Sequence, residues 1–210
     1  QRAREVIPNG GSVLDIGCGG GVASFAITPP AVKVIGVDEQ AEMLQMYSAN
    51  AGKFGVEGET FLGQWPEIES KVPIADVVVS HHVAFNVKNI APFLQALHSH
   101  ARKRVVMEIP VRHPMSNMSE GWKYFWNITR PTSPEAIDLL SVLNEIGISA
   151  EIEYFERTLD SDMSSAESRS QVRRRLCLPA ERQPEVDEFL RLYPLPTRRQ
   201  LATIWWDTHA

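Results

Sequence analysis

The chain has 210 residues, of which 43% are hydrophobic and 22% charged, and its formal net charge is -5. This balance is that of a globular protein, and because nothing resembles a linker we expect a single domain over residues 1–210. The acidic charge disfavours a protein that neutralises many nucleic-acid phosphates. No apolar run approaches the roughly 20 residues needed to cross a bilayer. The two distant cysteines lack disulfide or metal-ligand spacing, so we expect a reduced cytoplasmic setting.

Strand-like apolar segments alternate with segments of helical periodicity along the chain, which predicts a parallel sheet covered by helices on both faces. In the helix predicted at residues 133–146, Ser133 is the expected N-cap, and Ile137, Leu140 and Leu143 are the expected inward face. Strands are predicted at residues 12–16, 32–38, 59–62, 75–80, 104–109, 148–155 and 201–207, and helices at 21–27, 40–54, 89–101 and 133–146.

Two segments interrupt this alternation, residues 111–131 and 161–199. The first is rich in aromatic side chains, and the second has the pattern of two helices. We expect both to be insertions that cover a substrate, because an apolar and aromatic wall suits a small or lipophilic molecule. Plain packing against the sheet edge and a contact between two copies of the chain stay open as alternatives.

A glycine-rich turn follows the first predicted strand, with Asp15, Gly17, Gly19 and Gly21 at alternate positions. Bare backbone between a strand and a helix lets a ligand approach closely. A dinucleotide-binding turn would carry its third glycine where this chain has Val22, and a carboxylate at Asp15 would repel a pyrophosphate. No Gly-Lys-Ser/Thr follows, which excludes a Walker A loop.

A second acidic residue, Asp38, ends the second predicted strand. A carboxylate there can accept hydrogen bonds from both hydroxyls of a ribose, and it would repel the 2′-phosphate of NADP. The acidic glycine-rich turn together with Asp38 is more specific than either feature alone, and it indicates a nucleoside ligand that carries positive charge.

At these residues the chain resembles the class I S-adenosylmethionine-dependent methyltransferases, over roughly its first 110 residues. The resemblance implies a doubly wound, seven-stranded, mostly parallel sheet of order 3-2-1-4-5-7-6 whose last strand is antiparallel. It also implies S-adenosylmethionine as the cofactor.

The resemblance further implies a role for each residue that matches the family pattern. The acidic residue that the family usually carries near the adenine is absent here, where the chain has Gln64 and Trp65. Cys18 is counted with the turn, but we expect its side chain to be a small apolar filler. The implied cofactor-binding residues are Asp15, Gly17, Cys18 and Gly19 at the methionine end, Asp38 at the ribose, Glu39 beside the adenosine, Gln64 and Trp65 at the adenine, and His81.

His81 and His82 follow the fourth predicted strand, where the family faces the methyl group, and they are the candidate catalytic residues. A histidine can act as a general base near neutral pH. Neighbours on a strand point to opposite faces, so we expect one to contact a ligand and the other to pack. A structural role for both stays open. A metal site formed with Glu108 and His113 matches no known ligand spacing, and we expect none.

We therefore expect a methyltransferase for a small or lipophilic acceptor, acting as a monomer or homodimer without nucleic-acid or membrane partners. The alternatives are a non-catalytic S-adenosylmethionine sensor or partner subunit, an RNA or protein methyltransferase, and a nicotinamide dehydrogenase, which Val22 disfavours. Only about ten residues precede Val13 and no initiator Met is present, so we expect a trimmed start and an unusually open cofactor site.

Overall fold

The computed structural model describes residues 1–159 and 164–208. It contains a seven-stranded sheet and seven α-helices within this part of the chain. The strands are β1 (Ser12–Ile16), β2 (Lys33–Asp38), β3 (Glu57–Leu62), β4 (Ala75–His81), β5 (Ala101–Pro110), β6 (Glu151–Thr158) and β7 (Arg198–Asp207). The helices are α1 (Val22–Phe25), α2 (Ala41–Phe54), α3 (Ile90–Ser99), α4 (Ser119–Trp126), α5 (Ala136–Glu145), α6 (Ala166–Arg175) and α7 (Gln183–Leu192).

The sheet has the order β3-β2-β1-β4-β5-β7-β6, which confirms the predicted α/β fold with its antiparallel end. Strand β1 pairs in parallel with β2 on one side and with β4 on the other, so that Asp15 is level with Gly36 and Val79. The chain order reverses at β1. The carboxyl ends of β1 and β4 therefore flank the crevice where ligands bind in open sheets of this type.

The central strands are buried on both faces, as their continuous apolar runs predict. In β1, Val13 and Leu14 are fully buried, as are Val77 and Val78 in β4. The periodicity of α2 predicts Leu44, Tyr47, Ala51 and Phe54 on its inward face, and the first three are buried whereas Phe54 is exposed.

The start of α5 differs from the prediction. Ser133 is not its N-cap, because Glu135 forms an antiparallel bridge with Arg112 and the helix begins only at Ala136. The inward face is also shifted, since Ile137 is exposed and Leu139 is buried instead. Strand β6 begins at residue 151 rather than 148. The bridge between Glu135 and Arg112 joins distant segments, which local periodicity does not encode.

The described residues divide into two compact units. The first comprises Gln1–Ile109, Ile137–Glu153 and the residues from Ala202 onward, and the second comprises Pro110–Ala136 and Tyr154–Leu201. Both predicted cover segments fall within the second unit, although residues 161–163 lie outside the described residues. The single domain over 1–210 and the covering role both stay predictions.

The second unit has a core of its own, in which the aromatic segment takes part. Trp122 and Phe125 pack against this core, and Trp126 Nε1 donates a hydrogen bond of 2.8 Å to the Leu176 carbonyl. Trp122, Phe125 and Trp126 therefore contribute to packing in this unit. The buried members of the core are Met118, Val172, Leu176, Leu178 and Val186.

Candidate active site

The glycine-rich turn adopts left-handed backbone conformations at alternate residues. The backbone angle φ is 71° at Gly17, 49° at Gly19 and 87° at Gly21. Residues other than glycine rarely adopt such positive values. A Cβ on Gly17 would lie 2.4 Å from Val83 Cγ2, whereas one on Gly19 would meet nothing within 4 Å. The turn therefore needs glycine for its backbone at each of these positions, and at Gly17 also for its packing against the residues after β4.

The side chain of Asp15 lies beneath the turn and is only 1% exposed. Ser24 Oγ donates a hydrogen bond of 2.5 Å to Asp15 Oδ2, and Tyr47 Oη donates one of 2.9 Å to Ser24 Oγ. Burial raises the pKa of Asp15 to about 6, although the hydrogen bonds from Ser24 oppose the shift. Asp15 is therefore the acceptor end of a buried chain of hydroxyl groups.

Cys18 points away from the open side of the turn, as expected of a small apolar filler. Its buried side chain packs in a cluster with Phe25, Leu44 and Tyr47. Burial raises the pKa of the Cys18 thiol well above its ordinary value, so a nucleophilic thiolate is disfavoured here.

Asp38 connects the end of β2 to the glycine-rich turn. Its Oδ2 accepts a hydrogen bond of 2.9 Å from the Gly19 amide, and its Oδ1 accepts one of 3.0 Å from the Gln40 amide. Each carboxylate oxygen has two lone pairs, so both can accept a further hydrogen bond. Asp38 thus holds the turn in place and keeps capacity for a ligand.

A cavity of about 270 Å³ lies at the carboxyl ends of the first four strands. Among the described residues, Asp15, Cys18 and Gly19 do not line it, so their predicted contacts with the cofactor stay predictions. The sequence did not single out the hydrophobic residues Val83, Val87 and Phe93, whose only signal is that they follow β4. The lining residues that the sequence predicted are Gly17, Asp38, Glu39, Gln64, Trp65, His81 and His82.

Trp65 is engaged in packing within the same unit. It is 6% exposed, and its ring lies edge-to-face against His100 with 4.8 Å between the ring centroids. His100 is itself held, since Nε2 lies 3.1 Å from the Glu69 carbonyl oxygen and Nδ1 lies 2.9 Å from that of Ala96. Stacking of Trp65 on an adenine stays a prediction.

Both histidines at the end of β4 line the cavity, and which of them contacts a ligand stays a prediction. The alternation of a strand ends at His81, and His82 has a left-handed φ of 62°. The His82 amide donates a hydrogen bond of 2.7 Å to the Glu108 carbonyl, and His82 Nε2 lies 3.3 Å from Glu108 Oε1. The backbone conformation of His82 therefore brings a second imidazole to the cavity.

Within residues 1–159 and 164–208, no group of three or more His, Cys, Asp or Glu side chains is arranged to hold a metal ion. In the same part of the chain, none of the helices is long and apolar enough to span a bilayer.

Known sequences resemble the chain in this same region. Residues 7–124 match the model of a family described as a methyltransferase domain. The chain is 38% identical over 92 residues to the ribosomal protein L11 methyltransferase of Vibrio campbellii, and 33% identical over 90 residues to that of Salmonella newport. Each match covers 42% of this chain, and the chain spans only 30% of the length of these relatives.

Solved structures share the fold over most of the chain. A Bacillus halodurans protein proposed to be a methyltransferase superposes with a TM-score of 0.67 at 16% identity, covering 97% of this chain and 95% of that one. An Archaeoglobus fulgidus S-adenosylmethionine-dependent methyltransferase gives 0.58 at 22% identity, with 98% and 90% covered. The magnesium protoporphyrin IX methyltransferase of Synechocystis, solved with S-adenosylhomocysteine, gives 0.57 at 15% identity, with 93% and 74% covered. At these identities the likeness establishes the fold.

Proposed function

Because the chain belongs to the methyltransferase-domain family, we propose that it methylates a small acceptor at the carboxyl ends of β1 and β4. We infer that it is an S-adenosylmethionine-dependent methyltransferase with S-adenosylmethionine as its cofactor. The observation that carries the proposed site is the cavity, which gathers Gly17, Asp38, Gln64, His81 and His82 from four consecutive parallel strands.

The residues present fit a nucleoside cofactor. Asp38 lines the cavity and has unused lone pairs for a ribose diol. The turn at Gly19 is open, since an added Cβ would meet nothing within 4 Å. Glu39 and Gln64 follow β2 and β3 at the same edge of the sheet and supply further polar groups for the adenosine. These features support the assignment of Asp38 to the ribose and of Glu39 and Gln64 to the adenosine, while a contact of Trp65 with the adenine is proposed from its place in the cavity lining alone.

In such a reaction the protein orients the acceptor, excludes water from the cavity and accepts a proton from the acceptor. S-adenosylmethionine supplies a methyl group on a sulfonium, which is already an excellent leaving group. The hydrophobic side chains of Val83, Val87 and Phe93 line the same cavity and limit its water. An acceptor held in line with the methyl carbon gains most of its rate from positioning, and His81 or His82 is at hand as a base.

A small acceptor is favoured over a macromolecule by charge and composition. The chain is acidic, with a formal net charge of -5, which opposes binding to nucleic acid. The segment at 111–131 is apolar and aromatic, which suits a lipophilic molecule. We further propose that the protein acts in the cytoplasm as a monomer or homodimer. The free thiols of Cys18 and Cys177 are consistent with a reducing compartment.

A protein acceptor is the second candidate. The local match to ribosomal protein L11 methyltransferases favours it, although that match covers only 30% of their length. Incubation with purified ribosomal proteins and labelled S-adenosylmethionine separates the two candidates. Label on a ribosomal protein, with none on small acceptors, would support the second candidate and overturn the first.

Calorimetry tests the cofactor site. We expect S-adenosylmethionine and S-adenosylhomocysteine to bind and NAD not to bind. Asp38→Ala should weaken S-adenosylhomocysteine binding by about 10- to 100-fold, because hydrogen bonds to a charged group contribute about 1.5–3 kcal/mol each. The matched control is Glu42→Ala, which removes an exposed carboxylate from α2 near the same strand end. Equal affinities for the two variants would show that the ribose assignment is wrong.

A turnover assay distinguishes an enzyme from a protein that only binds S-adenosylmethionine. Release of S-adenosylhomocysteine is measured with phenols, alcohols, amines, thiols and carboxylates as acceptors. We expect release with at least one class of small acceptor. Tight binding of the cofactor without release for any small acceptor or ribosomal protein would favour a sensor or partner subunit.

A further inference from the structure

His82 is anchored at two points on one residue of the neighbouring strand. Its amide donates a hydrogen bond of 2.7 Å to the Glu108 carbonyl, and its Nε2 lies 3.3 Å from Glu108 Oε1. Strands β4 and β5 pair in parallel, and His81 is level with Glu108 in that register. The backbone and the side chain of His82, the first residue after β4, therefore both contact Glu108 near the carboxyl end of β5.

The conformation of His82 is costly without such anchoring. Its φ of 62° lies in the left-handed region that few side chains adopt. Residues held in this region cluster at active sites, where the surrounding structure fixes them. Here the strain places the imidazole in the lining of the cavity beside Gly17 and Val83.

The two ring nitrogens of His82 have different surroundings. Nε2 is close to the Glu108 carboxylate, whose side chain is 12% exposed, while the His82 side chain is 42% exposed. Within the described part of the chain, no hydrogen bond engages Nδ1 of His82. A neutral imidazole that donates from Nε2 keeps its lone pair on Nδ1. The geometry thus leaves Nδ1 as the nitrogen that can accept a proton, on a ring that is oriented by Glu108 and partly exposed.

We propose that His82, rather than His81, is the general base of methyl transfer and that Glu108 is its positioning residue, so that the acceptor is a hydroxyl or N–H compound that loses a proton. This inference rests on the proposed function and names its substrate class. The long Nε2–Oε1 distance agrees with this role, because hydrogen bonds of catalytic groups tighten when ligands bind.

The step balances in atoms and charge. A lone pair of the acceptor oxygen or nitrogen forms the bond to the methyl carbon. The carbon–sulfur bond breaks and its electron pair stays on sulfur, so the positive charge of the sulfonium is lost. The acceptor's proton passes to Nδ1 of His82, and the resulting imidazolium carries the positive charge beside the Glu108 carboxylate. No oxidant or reductant is required.

The first test is spectroscopic and needs no acceptor. In ¹H–¹⁵N spectra of the S-adenosylhomocysteine complex, we expect a slowly exchanging imidazole N–H signal from His82 Nε2. His82→Gln identifies it by removing it. The signal should disappear in Glu108→Met and persist in Glu108→Gln, whose amide oxygen still accepts a hydrogen bond. Glu42→Met, at an exposed position of α2, is the matched control. Persistence of the signal in Glu108→Met would overturn the pairing.

The second test separates positioning from folding support. With a hydroxyl acceptor, His82→Gln should lower kcat by about 100-fold, the usual contribution of a general base. Glu108→Met should lower kcat by about 10-fold and leave the KM for S-adenosylmethionine unchanged, with partial recovery in Glu108→Gln. A fall in kcat for His81→Gln as large as that for His82→Gln would overturn the choice of base. Absence of turnover in the wild type would instead count against the proposed function, while the N–H signal would still decide the pairing.

Discussion

At the scale of single residues, Asp15 is the most unusual group in the site. It is a carboxyl group buried under the glycine-rich turn, where Ser24 donates hydrogen bonds to it. Burial penalises the charged form and raises the pKa of Asp15 from 3.8 to about 6. A carboxylate placed where its charge is costly is typical of functional rather than structural positions.

The raised pKa of Asp15 makes stability depend on pH in a predictable direction. Between about pH 4 and pH 6 the folded state binds more protons at Asp15 than the unfolded state. Stability from this group is therefore present at low pH and lost as pH rises through this window. Asp15→Asn removes the titration, so the variant should match the wild type near pH 4 and exceed it by up to about 3 kcal/mol near pH 8.

Urea denaturation of both proteins across this range is the measurement. Other titrating groups cancel in the difference between the two, because the variant changes only residue 15. Ser24→Ala is the control, since loss of its hydrogen bond to Asp15 should lower stability further at high pH. Parallel curves for the wild type and Asp15→Asn would contradict a shifted pKa at Asp15.

At the scale of elements, the turn between β1 and α1 offers a comparison between two neighbouring glycines. Both Gly17 and Gly19 have left-handed backbone, so alanine at either position should cost about 1–2 kcal/mol in strain. Only Gly17→Ala also forces a Cβ to within 2.4 Å of Val83 Cγ2. We therefore expect Gly17→Ala to lower the free energy of unfolding by about 1–3 kcal/mol more than Gly19→Ala does.

Chemical denaturation of the two alanine variants tests this difference. Adding Val83→Ala to Gly17→Ala should recover most of the extra loss, because it removes the Cγ2 atom that the new Cβ would meet. Double-mutant analysis isolates that pairwise contribution. Equal losses for Gly17→Ala and Gly19→Ala would show that the turn relaxes away from Val83.

The elements that sequence predicts best are those whose signal is local. The apolar run of β1, the alternate glycines and the acidic end of β2 all lie within 27 residues, and they carry the resemblance that implied the order of the sheet and the cofactor-binding residues. The predicted start of α5 at Ser133 was wrong because Glu135 pairs with the distant Arg112. A local N-cap pattern carries no information about such a partner.

The same distinction applies inside the candidate site. That Gly17 and Asp38 both reach the cavity follows from their places at adjacent strand ends. The left-handed backbone of His82 and its contact with Glu108 depend on the register of β4 against β5, which composition and spacing do not specify. Sequence therefore located the histidines but could not decide between them.

At the scale of the whole molecule, the cofactor contacts are expected in the first unit alone, since all residues that line the cavity belong to it. A ligand stabilises what it binds, by about 2.7 kcal/mol at a concentration about 100 times its Kd. With S-adenosylhomocysteine, we expect amide hydrogen exchange to slow most at residues 17–21, 38–40, 63–65 and 81–83. These segments are the carboxyl ends of the first four strands.

Helices α6 and α7 provide the internal reference for this experiment, because they pack in the separate core of the second unit. Their amides should show smaller changes than the four strand ends, since ligand protection is strongest at the backbone that the ligand contacts and in the structure it holds together. Asp38→Ala at the same ligand concentration should reduce the protection at all four ends together, because its affinity is lower. Protection that spares the strand ends and appears in α6 and α7 would contradict a cofactor site at the carboxyl ends of β1 and β4.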